Sequence, residues 1–178
     1  MYPFFRMIWQ VLKTRRAPRL AVTETHLSRH MCLPWDIDLW MELNNGRTLT
    51  LYDLGRIPLA YRAGLVDVLR RNGWGLTMAG ASVRYRRRVR MFETIEMRSR
   101  GVWWDDRFMY IEQSMWNTGG DCANHILYRS AVTGRDGIVP PADVVRELGL
   151  DPTPPEAPDW VRAWIAADAA RPWPPMQD

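Results

Sequence analysis

The alternation of hydrophobic and polar positions changes rhythm along the chain, and each change marks an element. Between Phe4 and Leu12 large apolar residues crowd together, interrupted by Arg6 and followed by Lys13, Arg15 and Arg16. The run is too short to span a bilayer. It reads as an amphipathic helix with a basic end, packed on its own domain or on a partner subunit in preference to lying in a membrane interface. No small-residue cleavage site follows, as a secretory leader requires. From Leu20 to Arg29 apolar Leu20, Val22 and Leu27 sit among Thr23, Thr25 and Ser28, which predicts a first strand ended by Pro34.

From about Arg47 to Arg71 apolar residues cover most of a helical circumference, Leu51, Leu54, Leu65 and Leu69 among them. A helix of that kind is buried on nearly every side. Asn44 or Asn45 is placed to cap its start, and Asn72-Gly73 to close its end. Pro58 removes one backbone donor and predicts a kink or break near residues 55–57.

Beyond it the rhythm turns to strands: Leu76 to Tyr85, Phe92 to Trp103, Arg107 to Asn117 and Cys122 to Val132. Turn-like connections separate the later ones, at Asp105-Asp106, 118–121 and 133–137. Consecutive antiparallel strands after one long helix predict an α+β fold with the helix laid against a sheet. The chain then divides into a basic and aromatic segment at 1–19, the main domain at 20–138, and a Pro-rich appendage at 139–178. The appendage carries helix candidates at Ala142 to Leu148 and Asp159 to Ala170, placed to cover the sheet or a neighbouring subunit.

Composition changes this picture little. The 178 residues are 47% apolar and 25% charged, ordinary for one globular domain with a proper core. The charge of +4 comes from 24 basic and 20 acidic residues, and every basic residue but Lys13 is Arg. Arg suits phosphate-bearing partners. With no RNP-like or zinc-finger pattern beside the charge, nucleic acid is disfavoured. Only Cys32 and Cys122 are present, which points to a reducing, cytoplasmic setting. His26 and His30 stand four apart, but in a strand-like segment, so no metal site is assigned. P-loop, dinucleotide-fingerprint, G-x-S-x-G and Cys/His nucleophile patterns are absent.

The candidate chemistry lies between Trp35 and Arg56. Asp36 and Asp38 stand just upstream of the helix that Asn44 or Asn45 caps. The first N–H groups of a helix have no intrahelical partner and favour negative charge. The backbone N–H of Asn45 or Gly46 is therefore a candidate oxyanion site beside a carboxylate, an arrangement for acyl chemistry. Asp36 and Glu42 are further carboxylates able to tune a neighbour. The densest basic cluster, Arg84, Arg86, Arg87, Arg88 and Arg90, is a candidate phosphate-binding rim.

These residues also resemble a known family. Asp-x-Asp-x-x-x-His-x-Asn-Asn running into a long helix opens the hotdog-fold thioesterases of the 4-hydroxybenzoyl-CoA thioesterase type. Asp36, Asp38, Asn44 and Asn45 match that pattern, while Glu42 stands in place of the histidine. The continuation through Gly46-Arg47, Asp53 and Arg56 is similar to the branch that contains thioesterase superfamily member six. Ser82-Val83-Arg84-Tyr85-Arg86-Arg87, Phe92-Glu93 and Trp104-Asp105-Asp106 follow in the same order. The likeness spans about residues 20–135. It implies a five-stranded antiparallel sheet wrapped around one long central helix. It implies an acyl-CoA or acyl-carrier thioesterase, with coenzyme A as part of the substrate and no other cofactor. Asp38 takes the position of the catalytic carboxylate, as nucleophile or general base, with Asp36, Glu42 and Asn44 supporting it. Arg84, Arg86, Arg87 and Arg88 become binders of the CoA phosphates. Proteins of this type assemble as homodimers or dimers of dimers, with sites formed between subunits. The rival reading is a non-catalytic acyl-thioester or lipid-binding hotdog protein, which Glu42 mildly favours. A hotdog dehydratase is disfavoured, because His26, His30 and His125 lie in the wrong segments for its base.

Overall fold

A computed structural model describes residues 2–176; Met1 of the N-terminal segment and residues 177–178 of the appendage lie outside them. The elements run α1 (Phe4–Thr14), β1 (His26–Met31), α2 (Asn45–Arg62), α3 (Leu65–Asn72), β2 (Gly75–Tyr85), β3 (Thr94–Trp104), β4 (Met109–Trp116), β5 (Cys122–Gly134), β6 (Gly137–Val139), α4 (Pro141–Glu147) and α5 (Asp159–Ala169). The sheet is antiparallel in the order β1-β3-β4-β5-β2, with β6 paired to the end of β5. With α2 against its concave side, this is the α+β hotdog arrangement that the sequence resemblance implies. β6 is an addition to the five expected strands. It forms because the 133–137 turn lets Ile138 return onto Thr133.

Two boundaries differ from expectation by more than two residues. The first strand starts at His26 and not at Leu20. Residues 21–24 close a turn in which Glu24 N–H bonds Ala21 C=O and the Glu24 carboxylate accepts the Ala21 N–H. Second, the long helix passes through Pro58 unbroken and stops at Arg62, because Gly64 adopts φ +78° and separates α2 from α3. Pro58 costs one backbone donor, but its neighbours hold the helix in place: the side chain of Pro58 is buried with Leu54, Gly55 and Leu59. The far end closes as expected, at Gly73 with φ +64°.

α2 lies so close to the sheet that Gly55 is obligatory. A Cβ there would sit 2.5 Å from Ser99 Oγ and 2.6 Å from Met97 Sδ. Gln113 from β4 reaches across this contact, donating to the Tyr52 carbonyl at 2.9 Å and to Ser99 Oγ at 2.7 Å. The central core is built from Leu51, Tyr52 and Leu54 of α2 against Ile95, Met97, Met115 and Ile126 of the sheet. A second cluster joins Val144 and Val145 of α4 to Leu65, Trp104 and Val132. On the other face of the sheet Val161 of α5 packs on Tyr110 and Leu127. The appendage thus covers part of the sheet's outer face.

β1 has an inverted pattern, with His26, Ser28 and His30 inward and Leu27, Arg29 and Met31 outward. The histidines are held neutral. Burial, then Arg62, lowers His26 to about 4; burial, then Arg6 and its neighbours, lowers His30 to about 3. Arg62 is a donor only, so its 3.1 Å bond makes His26 Nδ1 an acceptor and places the proton on Nε2. Among the described residues no three His, Cys, Asp or Glu side chains are grouped to hold a metal ion.

Candidate active site

The site is built on a clamp. Asp36 ends a 3-10 turn, Pro34–Asp36, and its carboxylate is fully buried. Arg47 grips one oxygen through Nε at 3.0 Å and Nη2 at 2.6 Å; Arg6 and the Leu33 N–H hold the other at 2.8 Å and 3.1 Å. Burial alone would raise its pKa, but the bonds from Arg47, Leu33 and Arg6 outweigh it and keep the carboxylate below its usual range. One buried anion thereby ties α1, the turn and the first turn of α2 together.

A small hairpin projects from the clamp. Ile37 bridges to Leu43, Asp38 N–H bonds the Glu42 carbonyl at 2.9 Å, and Asn44 N–H bonds the Asp36 carbonyl at 2.9 Å. Its tip is Leu39-Trp40-Met41, with Met41 at φ +58°. The Asp38 carboxylate is half-exposed and accepts the Trp40 N–H at 2.8 Å. Leu43 N–H bonds the Val89 carbonyl at 2.8 Å, which fastens the hairpin beside the basic segment that follows β2.

α2 starts where the capping argument places it. Asn44 is the cap, its side chain accepting the Arg47 N–H at 3.1 Å. The helix opens at Asn45, two residues before the expected Arg47. The N–H groups of Asn45 and Gly46 precede the intrahelical ladder and donate to no described residue. Beside them is a groove of about 210 Å³ lined by Glu42, Asn45, Thr48, Tyr85, Arg86, Arg87, Arg88 and Asn124, closed by Leu43 and Val89. Tyr52 supports its floor, with its hydroxyl on Asn124 Oδ1 at 2.5 Å. Glu42, the residue in the histidine position of the family pattern, stands 2.9 Å from Arg88 Nε. Glu42 Oε2 is shielded from water and accepts no hydrogen bond, so the contact is Coulombic alone.

Two groups far apart in sequence therefore meet: Glu42 and Asn45 at the head of α2, and the cations Arg86, Arg87 and Arg88, with Asn44 and Gly46 flanking Asn45 in the chain. Asp36 lies behind them as the clamp. Asp38 is on the adjoining hairpin and, within one chain, is not part of the groove's lining. Arg84 is separated from the other arginines because β2 ends at Tyr85, and the chain then turns with the Arg86 and Arg87 N–H groups both on the Ala123 carbonyl. Arg84 points to the sheet's outer face, beside a different cavity of about 430 Å³ with Ser82, Glu112, His125, Trp160 and Trp164. There His125 Nε2 meets Glu112 at 2.8 Å, and Arg100 holds the other oxygen of Glu112 at 2.6 Å. Thr48 and Asn124 belong to the groove and carry no motif that singles them out, while Tyr85, also in the groove, lies within the 82–87 stretch of the family resemblance without being assigned a role. Arg47 is singled out by standing directly after Asn-Asn-Gly; Arg6, the other half of the clamp, has no local signal.

With this geometry in place, comparison with known proteins is informative. A model of the Thioesterase-like superfamily matches residues 32–165, from the residue after β1 to within α5. The chain belongs to the Thioesterase-like superfamily. Among curated members it is 33% identical over 165 residues to Protein THEM6 of Xenopus laevis, a match covering 91% of this chain and 78% of the frog protein. Solved structures agree on the fold. A candidate oleoyl thioesterase of Lactobacillus plantarum superposes with a TM-score of 0.64 at 15% identity over 76% of this chain, which spans only 55% of that longer chain. The Staphylococcus aureus protein SAV2348, solved in complex with CoA, gives 0.62 at 9% identity over 80% of this chain and 95% of that one.

Proposed function

We propose that the protein hydrolyses acyl thioesters, those of CoA or an acyl carrier, in the groove at the head of α2. One observation carries the reading: Asn45, which opens α2 with an N–H that donates to no described residue, lines a groove rimmed by three arginines, and Gly46 follows it in the same turn. The arginines suit the phosphates of a CoA or phosphopantetheine arm, and the N–H pair suits the oxyanion of an attacked carbonyl. Family membership supports thioester chemistry at this coarse level. The bound CoA of SAV2348, a protein of the same fold, is in keeping with it.

In this mechanism Asp38, which does not line the groove of its own chain, is brought to it by the hairpin of a second copy and removes a proton from water as the water oxygen adds to the thioester carbonyl. Negative charge collects on the carbonyl oxygen, against the N–H groups of Asn45 and Gly46. Collapse breaks the C–S bond and releases thiolate, which takes up a proton, leaving the free acid. Direct attack by Asp38 reaches the same products through a mixed anhydride. The space between α2 and the sheet is only about 40 Å³, so the acyl chain is assigned to a surface completed by a second copy. β2 ends the sheet with one edge free among the described residues, and such an edge favours strand pairing. We therefore include a homodimer, or a dimer of dimers, in the proposal. A light-scattering mass near the 20.8 kDa chain would remove it.

The test is thiol release from a panel of acyl-CoAs. Asp38→Asn keeps the size and the bond to Trp40, and kcat is expected to fall about a hundredfold or more. Unchanged kcat would leave Asp38 a turn residue. Glu42, shielded beside Arg88, favours a second reading, an acyl-thioester-binding protein without turnover. Calorimetric binding of acyl-CoA by a parent that hydrolyses none of the panel would establish that reading instead.

A further inference from the structure

α1 is packed inside out. The face it turns to the domain carries buried Met7, Gln10 and Thr14, two of them polar, with half-buried Val11 beside them. The face it turns away carries Phe4, Phe5, Ile8, Trp9 and Leu12, every one exposed, Phe5 at 91%. A helix folded only to complete its own core would point the second set inward. Nor is the outward face alone. Trp35 shares a surface hollow of about 450 Å³ with Phe4, Phe5 and Arg6. The hairpin tip that springs from the same clamp exposes Leu39 at 96% and Trp40 at 78%. Isolated exposed apolar residues are normal on soluble proteins, but a helix face and a loop tip of this size mark an interaction surface.

Charge identifies the occupant. No carboxylate occurs before Glu24, while Lys13, Arg15, Arg16 and Arg19 cluster at the end of α1. All four are exposed, and none forms an ion pair among the described residues. Lys13 Nζ stands 5.2 Å from the ring centroid of Trp9, a pairing of aromatic and long cation that suits a headgroup boundary. A second copy of the same face would bring these cations against their own kind. An anionic surface would neutralise them. Among the described residues no helix is long and apolar enough to cross a membrane, so contact is with the surface.

We infer that α1 and the Leu39–Met41 tip form a docking face for an anionic lipid surface, with the aromatic and aliphatic side chains in the interface and the cations against lipid phosphates. The clamp of Arg6, Asp36 and Arg47 fixes both apolar elements to one rigid base. The inference stands apart from the hydrolase reading, since it needs neither the groove nor turnover.

The experiment is vesicle flotation of the full chain, with vesicles of phosphatidylcholine alone or mixed with phosphatidylglycerol. The parent is expected to float with the mixed vesicles and to remain below with pure phosphatidylcholine. Two double variants of exposed residues, Phe5→Ser with Ile8→Ser and Leu39→Ser with Trp40→Ser, should keep their circular dichroism spectra. Each should lose at least about tenfold in partitioning. Lys13→Gln with Arg16→Gln should narrow the difference between the two vesicle types. A parent that binds neither vesicle, or variants that bind as the parent does, would overturn the inference. So would a dimer that dissociates in the Phe5→Ser, Ile8→Ser variant without any vesicle binding; that result gives the face to a second copy.

Discussion

Asp36 and Asp38 are two residues apart and belong to one motif, yet their surroundings have little in common. Asp36 is fully buried and receives four hydrogen bonds, three of them from two arginines. Its charge is used entirely in holding α1 and α2 to the turn between them. Asp38 stands on the adjoining hairpin, half-exposed, with one bond to a neighbouring N–H. A carboxylate that is completely satisfied has no capacity left for chemistry, and one that is nearly unsatisfied has little influence on stability. The contrast therefore separates a folding role from an available reactive group within one short stretch of chain.

Removing the clamp should have the largest effect. Asp36→Asn leaves Arg6 and Arg47 partly buried without their counter-charge, and is expected to cost about 3–5 kcal/mol. In a chain of this size that lowers Tm by roughly 10 °C, measurable by thermal circular dichroism. Asp38→Asn should do the reverse, changing stability by no more than about 0.5 kcal/mol while carrying the roughly hundredfold loss of kcat. If both variants lost stability equally, the contrast between the two carboxylates would collapse.

Acid sharpens the buried side. His26 and His30, at about 4 and 3 when folded, are protonated more readily in the unfolded chain, with its ordinary 6.5. Their stabilising contribution is complete above pH 6.5 and is lost as pH falls toward the folded values. By pH 5 each should have removed about 2 kcal/mol, read from urea midpoints at pH 7 and pH 5. Asp36 works in the same direction in a lower window, below its ordinary 3.8. His30→Asn should flatten the upper part of the profile, because its ring is lowered by burial first and by the clamp's Arg6 next.

Smaller effects probe the head of α2. Asn44→Ala deletes the cap on the Arg47 N–H and should cost about 1 kcal/mol. Glu42→His replaces one partner of the solvent-facing Arg88 and should alter stability by a few tenths of a kcal/mol. In the acyl-CoA assay it is expected to match the parent or exceed it. A fall in activity would mean that Glu42 serves the groove in its present form.

Much of this molecule was determined by local sequence. The α+β order, the cap at Asn44, the closure at Gly73 and the Asp105-Asp106 turn follow from periodicity and from side chains that satisfy backbone groups within a few residues. So does the candidate site at the head of α2, because the first N–H groups of a helix have no intrahelical partner and the Asn44 cap takes up only the Arg47 one. What only the tertiary structure decided depends on distant partners. Arg6 gives no hint that it will meet Asp36, thirty residues on. The end of β2 at Tyr85 left Arg84 on the sheet's outer face and turned Arg86, Arg87 and Arg88 toward Glu42, although the four read as one cluster. Pro58 signals a break, but α2 runs through it to Gly64, because packing against the sheet holds the helix on both sides of the missing donor. The apolar side chains of α1 point outward for a reason no periodicity contains: the clamp fixes that helix by Arg6, and the rotation that buries Met7, Gln10 and Thr14 leaves Phe5, Ile8 and Trp9 on the outside.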